Sequence, residues 1–113
     1  MFNQDVQITF SLAVREAQRR RHEFLTTEHV LYALLFEEQG SEIVQACGGD
    51  IERLREELDQ FFDQYLEALD RSEEDVPGQT VALQSLLQRT VTHMQSSGRE
   101  EIGVGDLLAA ILE

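Results

Sequence analysis

Apolar residues recur at helical spacing through most of the chain. The opening stretch predicts a helix to about Arg21, because its apolar side chains recur three and four residues apart. They are Phe2, Val6, Phe10, Ala13, Val14 and Ala17. A second helix should begin at Thr26, whose hydroxyl can accept a hydrogen bond from a free N–H of the first turn. The next apolar side chains are Val30, Leu31, Leu34 and Leu35. They share one helix face, so we expect that face to be buried and the turn before it to stay at the surface.

The middle of the chain predicts two further helices. Residues 37–40 interrupt the pattern, after which Ser41 can cap a short helix through Cys47 that a pair of glycines ends. Asp50 can cap a long helix that reaches Leu69. Its outward face is strongly acidic, which is most often only a solvated surface.

A proline and a cluster of acids separate this region from the end of the chain. Residues 70–79 hold the only proline, and their composition predicts a flexible acidic linker. Thr80 can cap a fifth helix, and a last helix follows Ile102. Apolar and polar residues never alternate over more than a few positions, so no strand is expected. The sequence therefore predicts an all-α fold.

The end of the chain repeats its beginning. Residues 102–112 match residues 25–35 at an offset of 77, since both read as a turn, a helix start and apolar pairs. Upstream positions match at the same offset, with Phe10 over Leu87. The pattern indicates an internal repeat, although chance similarity between two amphipathic helices is an alternative.

The length of 113 residues, 42% of them hydrophobic, suits one domain with its own core. We expect residues 1–113 to divide into a first repeat (1–69), an acidic linker (70–79) and a partial second repeat (80–113). The second copy stops after its turn and helix. The apolar face of the last helix should therefore lack its usual cover; this face comprises Leu107, Leu108, Ile111 and Leu112.

The net charge of −13 lies in the later part of the chain, because residues 1–35 hold four acids and four arginines. Nucleic-acid binding needs a positive surface, and Arg19 to Arg21 form too short a basic run to supply one. A basic protein partner fits better. The sequence has no long apolar run and no secretory signal pattern, which predicts a cytoplasmic protein without a membrane partner.

The titratable residues give little sign of chemistry. His22 and His29 lie seven residues apart and His93 is isolated, so none forms the i, i+4 pair of a helical zinc site. We expect no metal and no cofactor. His22 with Asp63 could hold an adventitious zinc, but a surface histidine without a ligand role is the simpler interpretation. Cys47 cannot form an internal disulfide, and its apolar neighbours predict a buried side chain. No catalytic constellation appears, so we expect no enzymatic activity.

Three stretches carry a resemblance to a known family, and in the first motif a polar turn with glutamates on both sides of a threonine cap is more specific than helical packing requires. They are His22-Glu23-Phe24 with Thr26, Glu28 through Leu35, and Gln88-Arg89 with His93 through Arg99. Together they resemble the N-terminal repeat domain of Clp/Hsp100 AAA+ unfoldases, most of all the ClpA type. The resemblance covers nearly the whole chain. It implies two tandem four-helix repeats and a non-catalytic module that receives adaptors and substrates. The parent would be an ATP-dependent hexameric unfoldase that works with a ClpP-type peptidase.

The resemblance also implies a binding surface. The family's adaptor surface falls on Glu23, Glu28 and Thr80, and the adaptor of ClpA-type domains is ClpS, which delivers substrates of the N-end rule. Thr80 could serve only as a helix cap and Glu28 only as a partner of the helix dipole. Glu23 has no such structural duty, which makes it the stronger candidate for recognition.

A second interpretation belongs to another functional class. A free-standing helical regulator could occupy the same adaptor or partner without delivering anything to an ATPase. A gene that continues past Glu113 into Walker motifs would favour the docking module, and a stop codon there would favour the regulator.

Overall fold

Six helices and two short strands form within residues 1–70, 72 and 74–112, the part of the chain that this computed structural model describes. The helices are α1 (Gln4–Arg19), α2 (Thr27–Phe36), α3 (Glu38–Ala46), α4 (Ile51–Tyr65), α5 (Val81–Ser96) and α6 (Val104–Ile111). The strands are β1 (Phe24–Leu25) and β2 (Gly78–Gln79), which pair in parallel. The all-α prediction is confirmed, but the expectation of no strand at all is wrong.

Three of the four predicted helix caps are confirmed. Thr26, Asp50 and Thr80 each accept a hydrogen bond from the backbone N–H three residues ahead, at 3.1 to 3.3 Å. Ser41 does not begin α3. The Glu37 carboxylate already accepts a backbone N–H at 2.7 Å and starts this helix earlier.

The middle of the chain departs from prediction in two further places. α4 ends at Tyr65 instead of Leu69. The Leu69 N–H donates to the Arg21 carbonyl at 2.9 Å, a contact with the first turn that a continued helix could not make. Cys47 is exposed, so its predicted burial is wrong. It lies at the C-terminal cap of α3, where its neighbours Ala46 and Gly48 are exposed as well.

The two halves of the chain correspond at a shift of 77 residues. α5 occupies the positions of α1 moved by this shift, and α6 begins 77 residues after α2. Phe2, before α1, bridges Ile102, before α6; β1, before α2, pairs with β2, before α5. Phe2 and Leu25 correspond to Gln79 and Ile102 at the shift of 77, so each half contributes the same two positions to the two pairings. The halves are therefore related by an approximate two-fold axis. The chain is thus a helical repeat.

The boundaries at residues 1–69, 70–79 and 80–113 stay a prediction. Arg71 and Glu73 of the proposed linker, and Glu113 at the end, lie outside the described residues.

The core surrounds α2, which packs against α1, α3, α4 and α6. α6 is covered by the helices before it, and Leu107 and Leu108 are fully buried. The expectation that the last helix lacks cover is therefore wrong for these two side chains. Ile111 is half-buried, whereas Leu112 is exposed.

None of the helices in the described part of the chain is long and apolar enough to cross a membrane.

Gly40 allows α3 to pass close to the end of α2. A Cβ atom at this position would lie 2.4 Å from the Leu34 carbonyl oxygen, a backbone atom that cannot swing aside. We expect Gly40→Ala to lower the free energy of unfolding by about 1–3 kcal/mol, because the two helices must move apart. Urea unfolding would measure the loss. Gln39→Ala, one residue earlier and exposed, is the matched control. Equal stability of both variants would contradict the close approach.

Candidate functional site

The polar turn after α1 is fixed by the backbone. The His22 N–H donates to the Ala17 carbonyl and the Arg21 N–H to the Gln18 carbonyl, both at 3.0 Å. This pair of hydrogen bonds requires a left-handed residue, and Arg21 has a φ of 57°. The repeat-related position is Gly98, with a φ of 73° and the same pair of bonds. The turn therefore has one defined shape in both repeats.

Thr26, His29 and His22 form a buried hydrogen-bonded chain behind the turn. The Thr26 N–H donates to His29 Nδ1 at 2.9 Å, so this nitrogen carries no proton. The remaining proton of His29 is then on Nε2, which donates to His22 Nδ1 at 2.9 Å. The network thus assigns both rings as neutral. The Thr26 hydroxyl accepts the His29 N–H and closes a capping box in which histidine takes the usual place of glutamate.

Phe62 of α4 covers this pair. Its ring stacks on His29 with the centroids 4.7 Å apart and an interplanar angle of 11°. The Arg20 guanidinium lies 4.8 Å from the Phe62 centroid on another side. It also bonds the carboxylates of Glu16 and Asp59 at 2.6 Å. Aromatic packing and this charge network together exclude water from the histidines.

Burial is the main reason that the histidines stay neutral. Burial, with the nearby His22 and Arg20, lowers the pKa of His29 to about 4. Burial and the charge of Arg20 lower the pKa of His22 as well. A proton on His29 Nδ1 would also remove the acceptor for Thr26. At neutral pH the turn is therefore held by two uncharged rings.

The second repeat builds the same turn with charges. Arg99 and Asp106 occupy the positions that the repeat shift assigns to His22 and His29, and they form a two-contact ion pair. The Asp106 carboxylate accepts the Gly103 N–H at 2.9 Å, as His29 accepts that of Thr26. The histidine pair of the first repeat thus replaces an ion pair that serves the same structural purpose.

Glu23 and Thr80 meet at one cleft beside this turn. The Glu23 carbonyl accepts the Gly78 N–H at 3.2 Å, and the Thr80 N–H donates to the Leu25 carbonyl at 3.1 Å. The β1–β2 pairing therefore brings both side chains to a cleft of about 210 Å³. Phe24, Tyr65 and Glu67 line the same cleft. The Glu23 side chain is exposed and has no ion pair within the described residues.

Glu28 does not line the cleft. It lies in the first turn of α2 and is half-exposed, next to the backbone N–H groups that the helix leaves free. Two of the three residues predicted as a partner surface thus share a cleft, and the third lies outside it, two residues after the cap of α2.

His22 is 5% exposed, so the expectation of a surface histidine is wrong. Its contact with His29 was not predicted, because the two residues are seven positions apart along the chain. Asp63, its possible partner for zinc, lies 3.6 Å from the Arg20 guanidinium. Across the described residues, no group of three or more His, Cys, Asp or Glu side chains could hold a metal ion. Both side chains of the zinc hypothesis are engaged with other groups.

Comparison with known proteins agrees with the resemblance. A sequence model described as the Clp repeat (R) N-terminal domain matches residues 1–113. The chain belongs to this family. As a Clp N-terminal domain it is a non-catalytic module with a helical repeat fold.

One relative of known description is a protein from Fuscovulum blasticum. It is described as a ClpA homolog protein and is 38% identical over 113 residues, which cover 97% of this chain. The chain spans only 14% of that protein's length. The chain is therefore a Clp N-terminal domain that is similar in sequence to part of a ClpA homolog.

Sequence reasoning missed the histidine pair and its cover. One signal was present, since His29 stands three residues after the capping Thr26, where a capping box places a side chain that reaches back. Nothing local indicated that Phe62 would stack on that ring, because the contact joins residues far apart in the chain.

Proposed function

We propose that this Clp N-domain docks a ClpS-type adaptor and protein substrates through the surface formed by Glu23, Glu28 and Thr80. It would act as the N-terminal module of an ATP-dependent, ClpA-like unfoldase in the cytoplasm. The parent protein would be a hexamer that passes substrates to a ClpP-type peptidase for degradation.

The cleft carries this proposal. Glu23 is exposed and has no structural ion pair among the described residues, yet it sits on a turn that two backbone bonds and a buried histidine pair hold in place. Because the backbone of the turn is fixed, only the Glu23 side chain has to be ordered when it meets a basic partner. Phe24, 48% exposed, lies beside it and offers apolar contact area.

Reversing two charges tests the surface. We expect Glu23→Arg with Glu28→Arg to weaken adaptor binding by at least about tenfold, because attraction becomes like-charge contact at the interface. Calorimetric titration with a purified ClpS-type adaptor would measure the affinity, and circular dichroism would check the fold. Glu23→Arg alone avoids placing a positive charge at the start of α2.

Glu52→Arg with Glu56→Arg is the matched control. Both acids are exposed on α4, and Glu52 lies in a first helical turn as Glu28 does. The control changes the net charge equally and carries the same helix-dipole penalty. An equal loss of affinity in both double variants would mean that only the overall charge matters and would overturn the proposed surface.

A further inference from the structure

A groove between α1 and α2 forms a second surface that the docking proposal does not use. It has a volume of about 360 Å³, and none of its lining residues belongs to the cleft of Glu23 and Thr80. We propose that this groove binds an acidic amphipathic helix of a partner protein.

The floor of the groove is apolar and exposed. Leu12 of α1 is 42% exposed and Phe36 of α2 is 54% exposed. Tyr32 lies between them and meets the Phe36 ring edge to face, with the centroids 5.1 Å apart. Ile8, one turn before Leu12 and 50% exposed, extends the apolar surface along α1. Such a surface suits the apolar side chains of a helix at i, i+3 and i+4 spacing.

Arginines surround this floor on an otherwise acidic chain. Arg15 and Arg19 line the groove directly. The Arg20 guanidinium lies 5.6 Å from the Tyr32 centroid, and that of Arg55 lies 4.0 Å from the Phe36 centroid. Four of the nine arginines in a chain of net charge −13 thus gather around one groove.

Two of these arginines are not neutralised by the chain itself. Arg19 and Arg20 pair with Glu16, and Arg20 also pairs with Asp59. Arg15 and Arg55 form no ion pair with any residue that the structure describes. Carboxylates on the flanks of a docked helix would complement them, whereas a basic helix would meet like charge.

The second repeat shows that packing does not demand this surface. At the repeat shift, Leu12 corresponds to Arg89 and Tyr32 to Ala109, both beside the equivalent groove between α5 and α6. Arg15 corresponds to Thr92 and Arg19 to Ser96, so neither of these arginines has a counterpart at its own position. That groove has arginines at other positions, Arg89 and Arg99, and Arg99 is paired with Asp106. The same helix pair therefore forms without an aromatic ring at the position of Tyr32 and without arginines at the positions of Arg15 and Arg19, so helix packing alone does not require these side chains in the first repeat.

The test uses the 113-residue chain and a labelled synthetic peptide of about five helical turns, with leucines at i, i+3, i+4 and i+7 and glutamates elsewhere. We expect it to bind with increased fluorescence anisotropy. A counterpart with lysines in place of glutamates, and a scrambled peptide of unchanged composition, should bind at least about tenfold more weakly. Equal binding of all three peptides would indicate non-specific attraction and overturn the proposal.

Two variants locate the binding. Arg15→Thr with Arg19→Ser installs the residues of the second repeat and should weaken the peptide at least about tenfold. Phe36→Ser removes the floor and should do the same. Arg53→Thr with Arg89→Ser makes the same charge change at exposed sites elsewhere and should bind as the original chain does. Unchanged affinity in the first two variants would overturn the proposal.

Two further measurements distinguish helix binding in this groove from adaptor docking and from self-association. Glu23→Arg with Glu28→Arg should leave peptide binding unchanged, so failure of the adaptor surface would not count against the groove. Sedimentation of the chain without peptide should show a monomer. A dimer that Phe36→Ser dissociates would assign the groove to a second copy and overturn the partner proposed here.

Discussion

Replacing Phe62 with alanine is expected to lower the free energy of unfolding by about 3–5 kcal/mol. Phe62 is fully buried and is the largest side chain in the core. Its ring stacks on His29, meets the Tyr32 ring edge to face at 5.5 Å and lies under the Arg20 guanidinium. Alanine would leave a cavity against three groups that cannot all move into it. Denaturant unfolding followed by circular dichroism would measure the loss.

Two further variants allow the role of Phe62 to be tested even if the alanine variant fails to fold. Phe62→Leu retains most of the volume and should cost about 1–1.5 kcal/mol, which remains measurable. Tyr65→Ala, three residues later and 72% exposed, should stay within about 0.5 kcal/mol of the original chain. A Phe62→Ala variant as stable as Tyr65→Ala would show that the stack does not hold α4 to the turn.

The helices could be predicted because their signals are local. Helix starts could be predicted at Thr26, Asp50 and Thr80, because each side chain accepts a hydrogen bond from a backbone N–H only three residues ahead. The apolar spacing of α1 and α2 likewise depends on positions within a few turns. Even the repeat was visible, since it needs only a comparison of the chain with itself.

Errors arose where distant residues decide the local structure. α4 ends early because the Leu69 N–H donates to the Arg21 carbonyl, and β1 forms because the last residues of the proposed linker, Gly78 and Gln79, pair with it. Neither partner is near in sequence. Ser41 failed as a cap for a local reason, since Glu37 competes for the same role and a glutamate is not the residue preferred there.

The candidate site was predictable only in its charges. The family resemblance indicated Glu23, Glu28 and Thr80, and Glu23 was the strongest candidate because it has no structural duty at the turn. The shared cleft of Glu23 and Thr80 could not be foreseen, because it depends on the β1–β2 pairing. The neutral histidine pair depends on burial by Phe62 and likewise needs the assembled fold.

Acid is expected to destabilise the chain by about 2–3 kcal/mol between pH 6.5 and 4.5 through His29. In the unfolded chain the imidazole takes up a proton near its ordinary pKa of 6.5, whereas burial lowers the pKa of His29 to about 4 in the fold. Above pH 6.5 both states are neutral and the stability is fully present. As the pH falls, only the unfolded state gains the proton, so stability is lost until the folded pKa is reached.

Carboxylates also make the stability depend on pH, but they do so at lower pH than the histidines, so the two effects can be separated. Burial alone would raise the pKa of Glu16, but hydrogen bonds from Arg19 and Arg20 hold it below its ordinary 4.5. Burial alone would also raise the pKa of Asp106, but the hydrogen bond from Arg99 lowers the pKa of that carboxyl below its ordinary value. Their contributions are present above the ordinary carboxyl pKa and fade below it. The interval from pH 6.5 to 5 therefore isolates the histidines.

His29→Gln tests the assignment because glutamine keeps the capping box with Thr26 and does not titrate. The original chain loses about 2 kcal/mol of unfolding free energy over pH 6.5 to 5. The variant should lose clearly less, because only His22 then remains as a buried histidine with a lowered pKa. Nitrogen chemical shifts of the His29 ring at pH 7 should show a proton on Nε2 and none on Nδ1. A His29→Gln variant with the original slope, or a ring protonated on Nδ1, would mean that the turn is not held by a neutral pair.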